Sequence, residues 1–422
     1  MMTARRPGMW TLWLLAVAGA ALSVPPTWGD TGAGAEATAE WTIVGYLSGE
    51  GDLGPAAERY LEGIAQGAGA AGWNAAVLID RLDNEGACAA RRYLWRAGAG
   101  EAAIAEPVPG SKAGINMGDA TTLAELLGWA RREAPAKRYA LIVMGHGASG
   151  DRPAHNGVAL DAGSGGDGLT SAELAGAIRL AGGDAPAPWL DAVFVDCCYS
   201  GSLEMAYELR GVAEAFCGSP GPMPNPGTPW QEVLGRAGSR QCAGGRELVE
   251  ACLQVVAGSS EDERPVLCGV TPAGLAEAGA CLSRVVTRAT QNMAETAPAI
   301  TLARSQSRTW GGGAELCDAA QFAVRLSECA SDPAVCQPAR ELASALERST
   351  IAVGGPGAAG MSLLLPGLLG EVPAGYRQAH PGIAVGCGWA EFVEAYTSRL
   401  RDLMQPAALS GGGAAPTGGQ EG

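Results

Sequence analysis

The sequence predicts an α/β fold: a mostly parallel sheet flanked by helices, followed by a helical C-terminal region. Three observations carry that prediction. Short apolar runs alternate with stretches of helical character through the first half of the chain. The runs are almost continuously apolar, as strands covered on both faces must be. Two of them stop abruptly at Gly or Asp, where a sheet edge turns into a loop.

The first element, residues 1–29, reads as a secretory signal peptide. Arg5 and Arg6 give a positive start, and residues 9–22 are uncharged and mostly apolar. Ala16-Val17-Ala18 and Ala18-Gly19-Ala20 both offer the small-x-small spacing of a cleavage site. The run is shorter than the ~20 apolar residues that cross a bilayer, so the expectation is a secreted or periplasmic protein with no membrane span. Residues 41–47 (WTIVGYL), 75–79 (AAVLI), 139–144 (YALIVM) and 189–195 (WLDAVFV) read as buried strands. Residues 55–67 and 120–132 read as helices, and Thr170-Ser171-Ala172-Glu173 is a capping box that opens another.

Between these elements, residues 151–168 read as a Gly-rich surface loop, 212–216 as a short strand and 218–240 as a Pro- and Gly-rich connection. Helical patterns resume at Glu247. A late strand is expected at 361–365 (MSLLL) and a helix around 389–400. Residues 405–422, mostly Gly, Ala and Pro, read as a disordered tail. The organisation expected is therefore a core over 30–240 and a helical region over 241–404 that completes the fold.

The 422 residues carry 29 Lys and Arg against 44 Asp and Glu, a net charge of −15. That balance argues against a nucleic-acid groove, which needs a basic field. Twelve cysteines in an exported chain point to a disulfide framework, with Cys242, Cys252, Cys268, Cys281, Cys317, Cys329 and Cys336 as candidates of unassigned pairing. A structural zinc site wants closely spaced Cys or His pairs. The chain has no C-x-x-C, and His146, His155 and His380 are its only histidines. Calcium finds no support either, because Asp161, Asp167 and Glu173 fail the EF-hand spacing and Glu173 belongs to the capping box. No metal and no cofactor are expected.

Two strand ends carry the chemistry. One strand stops at Gly145-His146-Gly147 and the other at Asp196-Cys197-Cys198-Tyr199-Ser200-Gly201. In open α/β sheets, ligands bind beyond the carboxyl ends of the strands. An imidazole between glycines is uncovered, and a thiol on the same edge can attack a carbonyl while the imidazolium protonates the leaving amine. Taken singly, each residue has a plain structural explanation: most cysteines are inert core residues, and most histidines are simply hydrogen-bonded.

These residues resemble the clostripain-like cysteine peptidases, relatives of caspases, gingipains and legumains. The family pattern is a strand ending in His-Gly and a later strand ending in Asp-x-Cys, which His146-Gly147 and Asp196-Cys197-Cys198 match. The likeness extends to residues 41–44 with Asp52-Leu53, Asn116-Met117-Gly118-Asp119 with Thr122-Leu123, and Leu169-Thr170 with Glu173-Leu174. It continues through residues 204–209, Gly360-Met361-Ser362 with Pro366, and Gly388-Trp389 with Glu391-Phe392. The resemblance implies a caspase-like fold and a Cys-His dyad, with Cys198 as nucleophile and His146 as general acid and base. The amides of Gly147 and Cys198 would form the oxyanion hole, with no third member required.

It also implies that Asp196 lines the pocket for a basic side chain, so that protein or peptide substrates are cut after Arg or Lys. Self-cleavage after a basic loop residue would fall at Arg152. Cys197 departs from the small residue usual in the family, and strand alternation sends it to the core side. The loop at 219–227 departs too, lacking the acids that relatives often carry there. Two further readings stay open: a peptidase-like scaffold without activity, and a thiol redox protein using Cys197 and Cys198, which would not need His146.

Overall fold

The computed structural model describes residues 39–404 except 82–89, 100–103, 109–113, 148–156, 260–264, 312–314, 356–359 and 369. The expected signal peptide, the tail, Arg152, His155 and Cys88 therefore lie outside the described residues.

In chain order the strands of the first half are β1 (Ala39–Ser48), β2 (Asn74–Asp80), β3 (Arg91–Trp95), β4 (Ile104–Pro107), β5 (Ala136–Met144), β6 (His146–Gly147), β7 (Gly157–Asp161), β8 (Asp167–Thr170), β9 (Leu190–Asp196) and β10 (Ala213–Gly218). Those of the second half are β11 (Leu267–Val270), β12 (Thr309–Trp310), β13 (Leu316–Asp318), β14 (Thr350–Gly354) and β15 (Ser362–Leu364). Nine of them form one sheet in the order β14-β11-β10-β9-β5-β1-β2-β3-β4. Its centre, β2 through β10, is parallel, and antiparallel strands extend both edges.

The helices are α1 (Gly54–Ala71), α2 (Ala120–Glu133), α3 (Ser171–Gly182), α4 (Leu203–Glu208), α5 (Trp230–Ser239), α6 (Gly245–Gly258), α7 (Leu275–Gln291), α8 (Met293–Ser305), α9 (Ala319–Cys329), α10 (Pro333–Ser349), α11 (Tyr376–Ala379) and α12 (Trp389–Met404). They start where the sequence supplies donors' partners. Asp119 accepts from Thr121 N at the head of α2, and the Thr170/Glu173 capping box closes both ways at the head of α3.

Strand alternation divides the core into two layers. Val44, Tyr46, Leu141, Val143, Val193 and Val195 face one side, with α2, α3 and most of the C-terminal helices. Ile43, Leu47, Ala140, Ile142 and Phe194 face the other, against α1, α5 and α6. The segment after residue 240 contributes β11 and β14 to the same sheet, and α7 through α10 pack on the first layer. No described helix is long and apolar enough to cross a membrane.

Three expectations need correction. The stretch 218–240 is not all connection: Trp230–Ser239 forms α5, whose Trp230, Val233, Leu234 and Ala237 are buried on one face. Residues 151–168 are not wholly a loop: β7 pairs with β6 and β8, with Val158 and Leu169 buried. The disulfide framework is absent among the described residues, whose eleven cysteines are all free. Cys268, Cys281 and Cys317 are buried in one layer, Cys242 and Cys252 in the other, where they pack as small apolar side chains. Desolvation pushes the Cys268 thiol up to about 12.

Candidate active site

The sheet order puts the two strand ends side by side. β5 and β9 are parallel neighbours with Met144 paired to Asp196. His146 and Cys198 each follow that pair by two residues, so the register itself carries both to the same level at the carboxyl edge. The two turns touch. A Cβ placed on Gly147 would lie 2.1 Å from the carbonyl oxygen of Cys198 and 2.9 Å from its amide nitrogen. Gly147 is thus a glycine because the Cys198 main chain occupies the space a side chain needs. The His146 side chain is 49% exposed and Cys198 is partly exposed. Cys197 is buried beside Val193 and Val195, and burial pushes its thiol well up, which leaves it unsuited to nucleophilic attack.

Short-range geometry fixes the cysteine turn. Tyr199 adopts a left-handed conformation at φ 59°, uncommon for a residue with a Cβ and characteristic of constrained functional turns. Its amide donates to Gly221 O at 2.8 Å, Gly201 N donates to Ser219 O at 2.7 Å, and the Ser200 hydroxyl donates to Val195 O at 2.6 Å. The Pro- and Gly-rich loop after β10 then folds over the sulfur, where Met223 N donates to Cys198 Sγ at 3.3 Å. The C-terminal region supports the turn from behind. Ser362 N donates to Gly201 O, and buried Glu204 accepts through Oε1 from Leu364 N at 2.9 Å and Tyr376 Oη at 2.8 Å.

Asp196 ends β9 almost fully buried. Its Oδ2 accepts from Tyr60 Oη and from the Trp230 indole, both at 3.0 Å. These are neutral donors, and desolvation raises its carboxyl to about 6. The calcium candidates have other tasks. Asp161 accepts from Met117 N and Ser164 N, Asp167 from Asn116 Nδ2 and Gly168 N, and Glu173 serves the capping box.

One contact has no counterpart in the sequence reading. His146 Nε2 lies 2.8 Å from Asp52 Oδ1, across 94 residues of chain. The acid-Leu turn at Asp52-Leu53 is visible in the sequence, but its partner is not, because only the pairing of β1 with β5 brings the two together.

A doubly covered parallel sheet with a His-Gly turn and an Asp-Cys-Cys turn meeting at its carboxyl edge is the architecture of a caspase-like cysteine peptidase. The chain belongs to the clostripain family, whose model matches residues 57–295, more than half of its length. Two solved structures share the fold over most of the chain. A secreted C11 cysteine protease from Bacteroides thetaiotaomicron, in complex with an irreversible peptide inhibitor, is 15% identical with a TM-score of 0.60. The match covers 83% of this chain and 99% of that one. An inactive zymogen C11 protease from Parabacteroides distasonis is 18% identical with a TM-score of 0.59, covering 86% and 99%. A comparison with curated protein sequences finds no match.

Proposed function

We propose that this cysteine peptidase is an exported endopeptidase with a Cys198-His146 dyad that cleaves after Arg or Lys. The observation that carries the reading is the β5/β9 register, Met144 opposite Asp196, which puts ring and sulfur on adjoining strand ends. His146 takes the thiol proton, and the Cys198 sulfur attacks the scissile carbonyl. The amides of Gly147 and Cys198 hold the oxyanion, and the imidazolium protonates the leaving amine. Water then attacks the thioester with His146 as base, which regenerates the thiol. Export follows the leader-like residues 1–29. Self-cleavage would fall at Arg152, beyond the described residues.

The preference for basic residues rests on Asp196. A buried carboxylate held only by neutral donors lacks a counter-charge, and a substrate guanidinium or ammonium supplies one. Its pKa gives the sign of the pH effect. Above about 6 the group is ionised and attracts a basic side chain, and below that the attraction fades. The same raised value opposes folding at high pH: the stability it contributes is complete below the unfolded value of about 3.9 and is lost as pH rises through about 6.

Turnover of fluorogenic peptides with Arg, Lys or an uncharged residue before the scissile bond tests this reading. Asp196→Asn is expected to lower kcat/KM on the basic peptides by roughly 30-fold, as loss of a charge-assisted hydrogen bond does, and to change the uncharged ones little. The wild-type preference is expected to decline as pH falls below 6. Turnover elsewhere, with none after Arg or Lys, contradicts the assignment.

A further inference from the structure

We infer that Asp52 is the positioning residue of His146: it holds the ring through Nε2 and leaves Nδ1 as the nitrogen that exchanges a proton with the sulfur. The consequence for catalysis rests on the Cys198-His146 reading, whereas the pairing stands on geometry alone. In the sheet order β10-β9-β5-β1-β2, the chain leaves β1 toward β2 on one side, and the strand following β5 in this central parallel set is β9 on the other. The crevice between the carboxyl ends of β1 and β5 is therefore the switch point, where open α/β sheets place their reactive groups. Asp52 and His146 straddle it. Leu47 pairs with Met144 at the last register position, and beyond it each chain turns. Gly51, at φ 67°, supplies the left-handed step that opens the turn Gly51–Leu53, and α1 begins directly after it.

The residues on either side of Asp52 that cap the turn and α1, Glu50 and Leu53, make no side-chain cap hydrogen bond. The Asp52 side chain is 81% exposed, and its Oδ1 meets Nε2 at 2.8 Å. An ion pair this open contributes little to stability, so orientation is the effect to look for. A neutral imidazole has one N–H. With that proton on Nε2 and directed at the carboxylate, the Nδ1 lone pair is free to accept the thiol proton. Once the imidazolium forms, both nitrogens donate, and the carboxylate offsets the new positive charge. The role matches that of the acid in Ser-His-Asp hydrolases, although there the acid is buried and bonds Nδ1, whereas Asp52 is exposed and bonds Nε2. The hydrogen bond to His146 in turn holds the Asp52 carboxyl below its ordinary value.

The test follows alkylation of Cys198 by iodoacetamide, read by mass spectrometry of its peptide across pH, beside turnover of an Arg-ending fluorogenic peptide. Wild type, Asp52→Ala, Asp52→Glu and His146→Ala are compared. Asp52→Ala is expected to slow alkylation and kcat about tenfold, a fraction of the full acid-base contribution because the ring remains. KM and the unfolding midpoint should stay where they are. Asp52→Glu should recover part of the rate. Asp52→Ala behaving as wild type while His146→Ala is slow overturns the role of Asp52 and leaves the dyad intact. His146→Ala behaving as wild type overturns the dyad and this inference together.

Discussion

Gly147→Ala is expected to reduce turnover by about 10²-fold or more, the loss that follows roughly 1 Å of misplacement between reacting groups. The added methyl would lie 2.1 Å from Cys198 O and 3.0 Å from its carbonyl carbon. The neighbour is main chain and cannot swing aside as a flexible side chain would. Nor can the cysteine turn retreat, since Tyr199 N, Gly201 N and the sulfur are each tied to the loop after β10. The two turns must therefore part, which separates the His146 ring from the Cys198 sulfur and pulls apart the two amides proposed to hold the oxyanion. Gly176→Ala is the control, because a Cβ there meets nothing within 4 Å. Kinetics and thermal unfolding of both variants check the prediction, and a Gly147→Ala protein with wild-type turnover refutes it.

Glu204→Ala is expected to destabilise the protein by roughly 3 kcal/mol, since it leaves the Leu364 amide and the Tyr376 hydroxyl without an acceptor and each buried orphan costs about 1–3 kcal/mol. The loss should reach activity as well as stability. Glu204 lies two residues beyond the end of the Ser200–Ser202 turn, and β15, which it anchors, is the strand whose Ser362 amide braces Gly201. Glu204→Gln keeps an acceptor at the Oε1 position and removes a charge whose ionisation burial already opposes. It should therefore lose clearly less than Glu204→Ala, because the Leu364 amide and the Tyr376 hydroxyl keep their acceptor and the Oε2 position that the amide nitrogen takes has no partner to lose. Denaturant unfolding of the pair separates the two. Equal losses in both variants contradict the account.

The central strands were legible because β1, β2, β5 and β9 are apolar runs, buried on both faces and cut short by Gly or Asp. The capping box at Thr170 was equally plain. What escaped was decided by tertiary contact. β7 lies in a Gly-rich stretch whose few apolar residues, Val158 among them, become a strand only by pairing with β6 and β8. The outer strand β3 reads RRYLW, too polar to announce itself. Twelve cysteines in a chain expected to be exported pointed to bridges, whereas the fold distributes those side chains through two core layers. At the site, His146 and Cys198 could be singled out because each follows the end of an apolar strand by two residues. The partners of Asp196 lie 136 and 34 residues away, at Tyr60 and Trp230, and that of His146 lies 94 residues away at Asp52. No local pattern encodes such meetings.

The most direct measurement is a double-mutant cycle on kcat with Cys198→Ala, His146→Ala and the combined variant. Two groups that exchange one proton in one step fail together, so each single change should lower kcat by at least about 10³-fold and the combination should lose no more than the worse of the two. Losses that multiply, or a single variant that turns over normally, would mean that sulfur and ring do not act as a pair.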